Sequence, residues 1–155
     1  MTNNDILRRL RFTFDFSDSK MIAIFAATDH EVNREQVSSW LKKEGEESYQ
    51  ELSDPQMALL LNGLINDRRG KKEGAQPEPE QRLTNNIIFR KLSIALNLKS
   101  DDILSIMRLT EMTLSKHELS AFFRKREHKN YRECKDQVLR NFLNGVQQKY
   151  REMAP

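Results

Sequence analysis

The stretch TNNDILRRLRF, beginning at Thr2, returns at Thr84 as TNNIIFRKLSI. Sliding residues 2–69 onto 84–151 at a constant offset of 82 needs no gap and yields 17 identities in 68 positions. A repeat at fixed spacing constrains the fold more than any single motif, because both copies must form the same supersecondary unit. The identities run the full length of the copies. They include Asn3 and Asn4 with Asn85 and Asn86, Arg8 with Arg90, Ile24 with Ile106, Lys43 with Lys125, Tyr49 with Tyr131, Glu51 with Glu133, and Asp54 with Asp136. Leu61, Asn62 and Gly63 fall on Leu143, Asn144 and Gly145. The chain carries a duplicated module.

Duplication lets each helix be read twice. Ile6, Leu7, Leu10 and Phe14 recur at helical spacing, as do Ile88, Phe89, Leu92, Ala95 and Leu96. Asn3 or Asn4, like Asn85 or Asn86, is expected to cap this first helix, so that TNN reads as a helix start used once per module. A second helix carries Met21, Ile22, Ile24 and Phe25 against Ile103, Leu104, Ile106 and Met107, begun by Ser17 and Ser100. A third has Val37, Trp40 and Leu41 against Leu119, Phe122 and Phe123. Ser115 with Glu118, and Asn33 with Gln36, have capping-box spacing at its start. The fourth places Met57, Leu60, Leu61 and Leu64 on Leu139, Phe142, Leu143 and Val146, with Asp54 ahead of Pro55 and Asp136 as expected caps.

These patterns predict an all-α chain of two homologous modules of about four helices each. Module 1 spans residues 2–69, a linker rich in Gly, Pro and charge spans 70–83, and module 2 spans 84–151. The linker GKKEGAQPEPEQRL has the composition of an exposed connection. Apolar residues make up 37% of the chain and charged ones 32%, which suits helical bundles with solvated faces. A module of about 68 residues buries only a marginal core alone, so the copies are expected to pack on each other. No run is long enough to predict a transmembrane helix, and the polar N-terminus does not read as a secretory signal, so no membrane partner is expected. The single cysteine, Cys134, fits a reducing compartment, and the expected location is the cytoplasm.

Several of these segments carry a resemblance. NNDILRRLR, LNGLI, RRGKKEG before PEPE, LTNNIIFRKLSIALNLK, LSKHELSAFFRK and HKNYREC together resemble the YehS-like family of small bacterial proteins, built from two copies of a domain of unknown function. The resemblance covers essentially the whole chain. It implies a bacterial, intracellular tandem-repeat protein and brings no activity, ligand or site residues.

Charge is where the copies part. Residues 2–69 hold 9 basic and 12 acidic side chains, whereas residues 84–151 hold 14 and 7. The contrast is sharpest after the third helix, where KKEGEESYQEL in one copy faces RKREHKNYREC in the other. Arg124, Lys125, Arg126, His128, Lys129, Arg132 and Lys135 gather around Tyr131, a basic segment with one aromatic that could stack on a base or pack as a structural anchor. Such a cluster is the expected footprint of phosphate contact, with salt-dependent affinity from counterion release. These eight residues are the candidate nucleic-acid-binding set, for RNA or DNA. Two other readings stay open: a solvated charged face, and an interaction adaptor whose basic module meets an acidic protein face, in this chain or another. The segment DDILSIMRLTEMTLSKHELSAFFRK also resembles a helix-turn-helix, although its turn lacks glycine and is about two residues too long.

Catalytic chemistry is not expected. His30, His117 and His128 are scattered, with neither an HExxH pair nor a Cys and His set, so neither metal nor cofactor is expected. GKKEG lacks the spacing of a phosphate-binding loop. Cys134 is six residues from His128, but its copy is Leu52, which favours a packed thiol over a nucleophile. Gly63 and Gly145 lie inside the fourth helix, where glycine costs about 1 kcal/mol relative to alanine. Their repetition points to a close helix approach, with a polar pocket as the alternative.

Overall fold

The structure, a computed structural model, describes residues 1–152. Four helices form the first module: α1 (Asn3–Phe14), α2 (Asp18–Ala26), α3 (Arg34–Leu41) and α4 (Asp54–Arg69). The second repeats them as α5 (Asn85–Ala95), α6 (Ser100–Arg108), α7 (Lys116–Phe122) and α8 (Asp136–Gln147), followed by a π-helical turn over Gln148–Glu152. No strand occurs among the described residues. The chain divides into two compact units, with the break between Leu83 and Thr84.

The helix starts follow local hydrogen-bonding chemistry. Thr2 and Thr84, rather than the asparagines beside them, cap α1 and α5 by accepting from the N–H groups of Asp5 and Ile87. Asn33 with Gln36 and Ser115 with Glu118 form the two expected capping boxes. Ser17 caps α2 as expected, but α6 is preceded by Lys99, and Ser100 is already helical. The Lys99 N–H donates to the Asp102 carboxylate at 2.8 Å, so a carboxylate in the first turn satisfies the cap residue's own N–H, whereas Ser17 accepts from the Lys20 N–H further into its helix. Asp54 is also not a cap: Ser53 caps α4, with proline in the first turn, and Lys135 precedes α8.

Each unit closes over its own core. In the first, Ile6, Leu7, Met21, Ile24, Phe25, Val37, Trp40, Met57, Leu61 and Leu64 are buried. In the second, Ile88, Phe89, Ile103, Ile106, Met107, Leu119, Phe122, Leu139, Phe142 and Val146 are buried. Bulk is redistributed at equivalent positions. Phe25 packs on Trp40 with ring centroids 5.4 Å apart in the first unit, whereas Phe89 sits 4.5 Å from Phe142 and 6.3 Å from Phe122 in the second. Leu7 therefore becomes Phe89 where Phe25 becomes Met107, a volume-conserving exchange of the kind cores tolerate best.

The repeated glycines mark the closest helix contact. A Cβ on Gly63 would collide with the Ile24 carbonyl of α2, and one on Gly145 with the Ile106 carbonyl of α6. The missing side chain lets two backbones meet, so it is close packing, not an open pocket, that occupies this position.

Residues 70–83 cluster with the first unit. Gly70 ends α4 at φ 91°, and most of the segment is exposed. It is nevertheless tied down. Asn66 donates to the Ala27 carbonyl and to Gln76, Lys71 pairs with Asp29 at 2.8 Å, and the Leu83 N–H donates to Asp54 at 2.9 Å.

Candidate functional site

The asparagines of TNN explain how the candidate loop is held. Asn86 is buried in α5; its amide donates to the carbonyls of Phe122 at 3.0 Å and Arg132 at 2.8 Å, and its oxygen accepts from the Cys134 N–H at 2.9 Å. Asn85 donates to the Cys134 carbonyl at 3.0 Å and to Asp136 at 2.7 Å. The bond from Asn85 holds the Asp136 carboxyl below the usual carboxylate range. Every one of these bonds recurs 82 residues earlier. Asn4 binds Trp40, Gln50 and Leu52, and Asn3 binds Leu52 and Asp54. The repeated asparagines therefore fasten the long loop between the third and fourth helices onto the first helix.

Three backbone bonds close that loop the same way in both units. His128 donates to Lys125, Tyr131 to His128 and Arg132 to Ala121, matching Glu46 to Lys43, Tyr49 to Glu46 and Gln50 to Ser39. The loops differ inside this frame. The first passes through positive φ at Gly45 and Ser48; the second does not at the equivalent Glu127 and Asn130. Charge differs more: Glu44, Glu46 and Glu47 are exposed on one loop and Arg124, Lys125, Arg126 and Lys129 on the other.

Not all of the eight candidate residues are equally available. Arg132 lies 3.7 Å from Glu118, and Lys135 lies 2.9 Å from Glu133. Arg124, Lys125, Arg126 and Lys129 make no ion pair among the described residues. Tyr131 is half-buried. His128 is exposed, with its Nδ1 at 3.0 Å from the Asn130 N–H and its Nε2 at 3.3 Å from Arg124 Nη1. Ser120, Phe123 and Glu127 complete an open hollow with Arg124, Lys125 and His128. Phe123 was not legible as part of it, because only the turn after α7 brings it to the same hollow as the histidine.

The helix-turn-helix resemblance meets a different geometry. Seven residues separate α6 from α7, and α7 spans seven residues, against the three- or four-residue turn of that motif. On α7, Lys116 faces Asp101 at 3.2 Å, and the Ser115 backbone N–H holds the Glu118 carboxyl below its ordinary range. His30 packs its ring 6.0 Å from Phe25, and His117 is exposed.

Cys134 is buried, and burial, with the Asp136 charge second, pushes its thiol up to about 12. At pH 8 almost none of it is thiolate, and thiolate is the reactive form. A thiol-specific reagent at pH 8 is therefore expected to label the native protein at a small fraction of the rate seen in denaturant. Equal rates would show that the Cys134 environment is open.

A tandem helical repeat with one acidic and one basic copy of the same loop is the class that fold and site define. The chain belongs to the family described as "Protein of unknown function (DUF1456)", which matches it twice, over residues 3–70 and 85–152. It is 44% identical over 147 residues to the uncharacterized protein YehS of Escherichia coli strain K12, covering 94% of each chain. No solved structure matches it. No helix among the described residues is long and apolar enough to cross a membrane.

Proposed function

We propose that this is a non-enzymatic nucleic-acid-binding protein whose second unit contacts RNA or DNA phosphates through the loop from Arg124 to Lys135. The observation that carries this reading is the loop pair. One hydrogen-bonded frame is built twice, and only its second copy presents four cations without carboxylate partners among the described residues. Phosphate contact needs such uncommitted cations, since a lysine or arginine already paired must give up its partner before it can neutralise a phosphate. Arg132 and Lys135 contribute less on that argument, and Tyr131 offers a partial stacking edge.

The test is fluorescence anisotropy of nuclease-treated protein with labelled single-stranded RNA, duplex RNA and duplex DNA across a salt series. Binding should weaken steeply as salt rises. Reversing Arg124, Lys125 and Arg126 to glutamate should flatten the duplex-DNA slope by about 0.9 per lost contact. Unchanged binding in that variant would reject the loop as the interface.

The acidic first-unit loop favours a second reading, an adaptor whose oppositely charged faces engage proteins. Glu44, Glu46 and Glu47 form an exposed surface suited to a basic partner. A partner retained after nuclease treatment and lost on reversing those glutamates would favour the adaptor.

A further inference from the structure

The hollow beside α7 brings two side-chain nitrogens, those of Arg124 and His128, to 3.3 Å from each other. The Asn130 backbone N–H can only donate, and it lies 3.0 Å from His128 Nδ1. That nitrogen must therefore be the unprotonated one, and a neutral His128 carries its proton on Nε2. Nε2 lies 3.3 Å from Arg124 Nη1, and a guanidinium has no acceptor. The two groups cannot bond to each other. Two donors that close can share one oxygen lying to the side of the line that joins them, at hydrogen-bond distance from both.

We infer that Arg124 and His128 form a clip for a phosphate oxygen. The surroundings select an anion over a neutral acceptor. Arg124 and Lys125 supply two positive charges to the hollow against the single carboxylate of Glu127, and Ser120 also lines it. Charge-assisted bonds to an oxyanion are stronger than those to a neutral oxygen. The first unit shows the opposite arrangement. There Glu46 occupies the histidine position, and its carboxylate accepts from the Lys43 N–H at 2.9 Å, leaving an acceptor where the second unit has a donor. The clip deepens the nucleic-acid reading and rests on it for the source of the phosphate, a backbone phosphodiester; a free phosphate ion presents the same oxygens.

Side-chain nitrogen NMR of the full-length protein at pH 8 tests it directly. His128 should show the pattern of a proton on Nε2, and its Nε2 signal should shift on adding a single-stranded oligonucleotide or inorganic phosphate, with His30 and His117 unmoved. His128→Gln keeps an acceptor for Asn130 and a donor beside Arg124, so it should retain most of the affinity. His128→Glu should weaken binding about tenfold, the loss of roughly one charge-assisted bond. A proton on Nδ1, or no Nε2 response to either probe, would overturn the clip, and so would full affinity in His128→Glu. If an oligonucleotide shifts the amides of residues 124–135 but leaves Nε2 unmoved, the clip fails and the nucleic-acid reading stands. A response to phosphate with no oligonucleotide binding supports the clip and removes that reading. The wild-type titration decides the matter even if a variant folds poorly.

Discussion

Replacing Gly145 with leucine should destabilise the second unit by about 3 kcal/mol or more, the upper range for forcing atoms into a filled core. The position allows no easy relief. The first added atom already collides with the Ile106 carbonyl and lies 3.1 Å from its carbon, and that carbonyl belongs to the backbone of α6. Alanine is the more informative variant because two effects oppose. It gains about 1 kcal/mol of helix propensity over glycine, and the collision must exceed that for the net change to be a loss. A net loss of roughly 1–2 kcal/mol is expected, which for a unit of this size lowers Tm by about 5–15 °C. Gly63→Ala should act alike in the first unit, where the added atom meets the Ile24 carbonyl and lies 2.9 Å from its carbon. Melting curves of the full chain, followed by circular dichroism, supply the check. Leucine tolerated at both positions without a shift in Tm would mean that α2 and α6 stand further from the glycines than described.

The glycine contact was legible in the sequence because a cost repeated at one register needs a repeated cause. Helix number and order were legible for the same reason: an apolar pattern found twice at one offset has little chance of being accidental. What the sequence obscured was the work of individual polar residues. Thr2 and Asn3 are both good caps by type, and only the three-dimensional path shows that threonine caps while asparagine reaches residues 36 to 51 positions away. Ser100 was misplaced by trusting residue type over the repeat, since the offset pairs Ser17 with Lys99. The candidate site divided along the same line. That Arg124 to Lys135 form an exposed basic loop follows from composition. That Arg124 meets His128, while Arg132 and Lys135 sit near carboxylates, depends on how the loop turns.

Asn86→Ala should have the other large effect, and it links the scaffold to the proposed function. Truncation leaves the Phe122 and Arg132 carbonyls and the Cys134 N–H without the partner that Asn86 provides. A backbone group left unpaired away from water costs about 1–3 kcal/mol, so a total near 3–5 kcal/mol is expected, at the high end for a single substitution. Asn85→Ala removes bonds that are more open to solvent and should cost only about 1 kcal/mol. The contrast between neighbours separates loss of the loop tie from any general effect on α5. Hydrogen exchange locates it: the Cys134 amide should lose protection in Asn86→Ala and keep it in Asn85→Ala. Because the tie holds both ends of the segment bearing Arg124 to Lys135, conditions in which Asn86→Ala is still folded should also show weakened oligonucleotide binding. Asn4→Ala, which frees the acidic loop instead, should lower stability similarly and leave that binding unchanged. Equal loss of binding from Asn4→Ala and Asn86→Ala would remove the second unit's loop as the privileged surface.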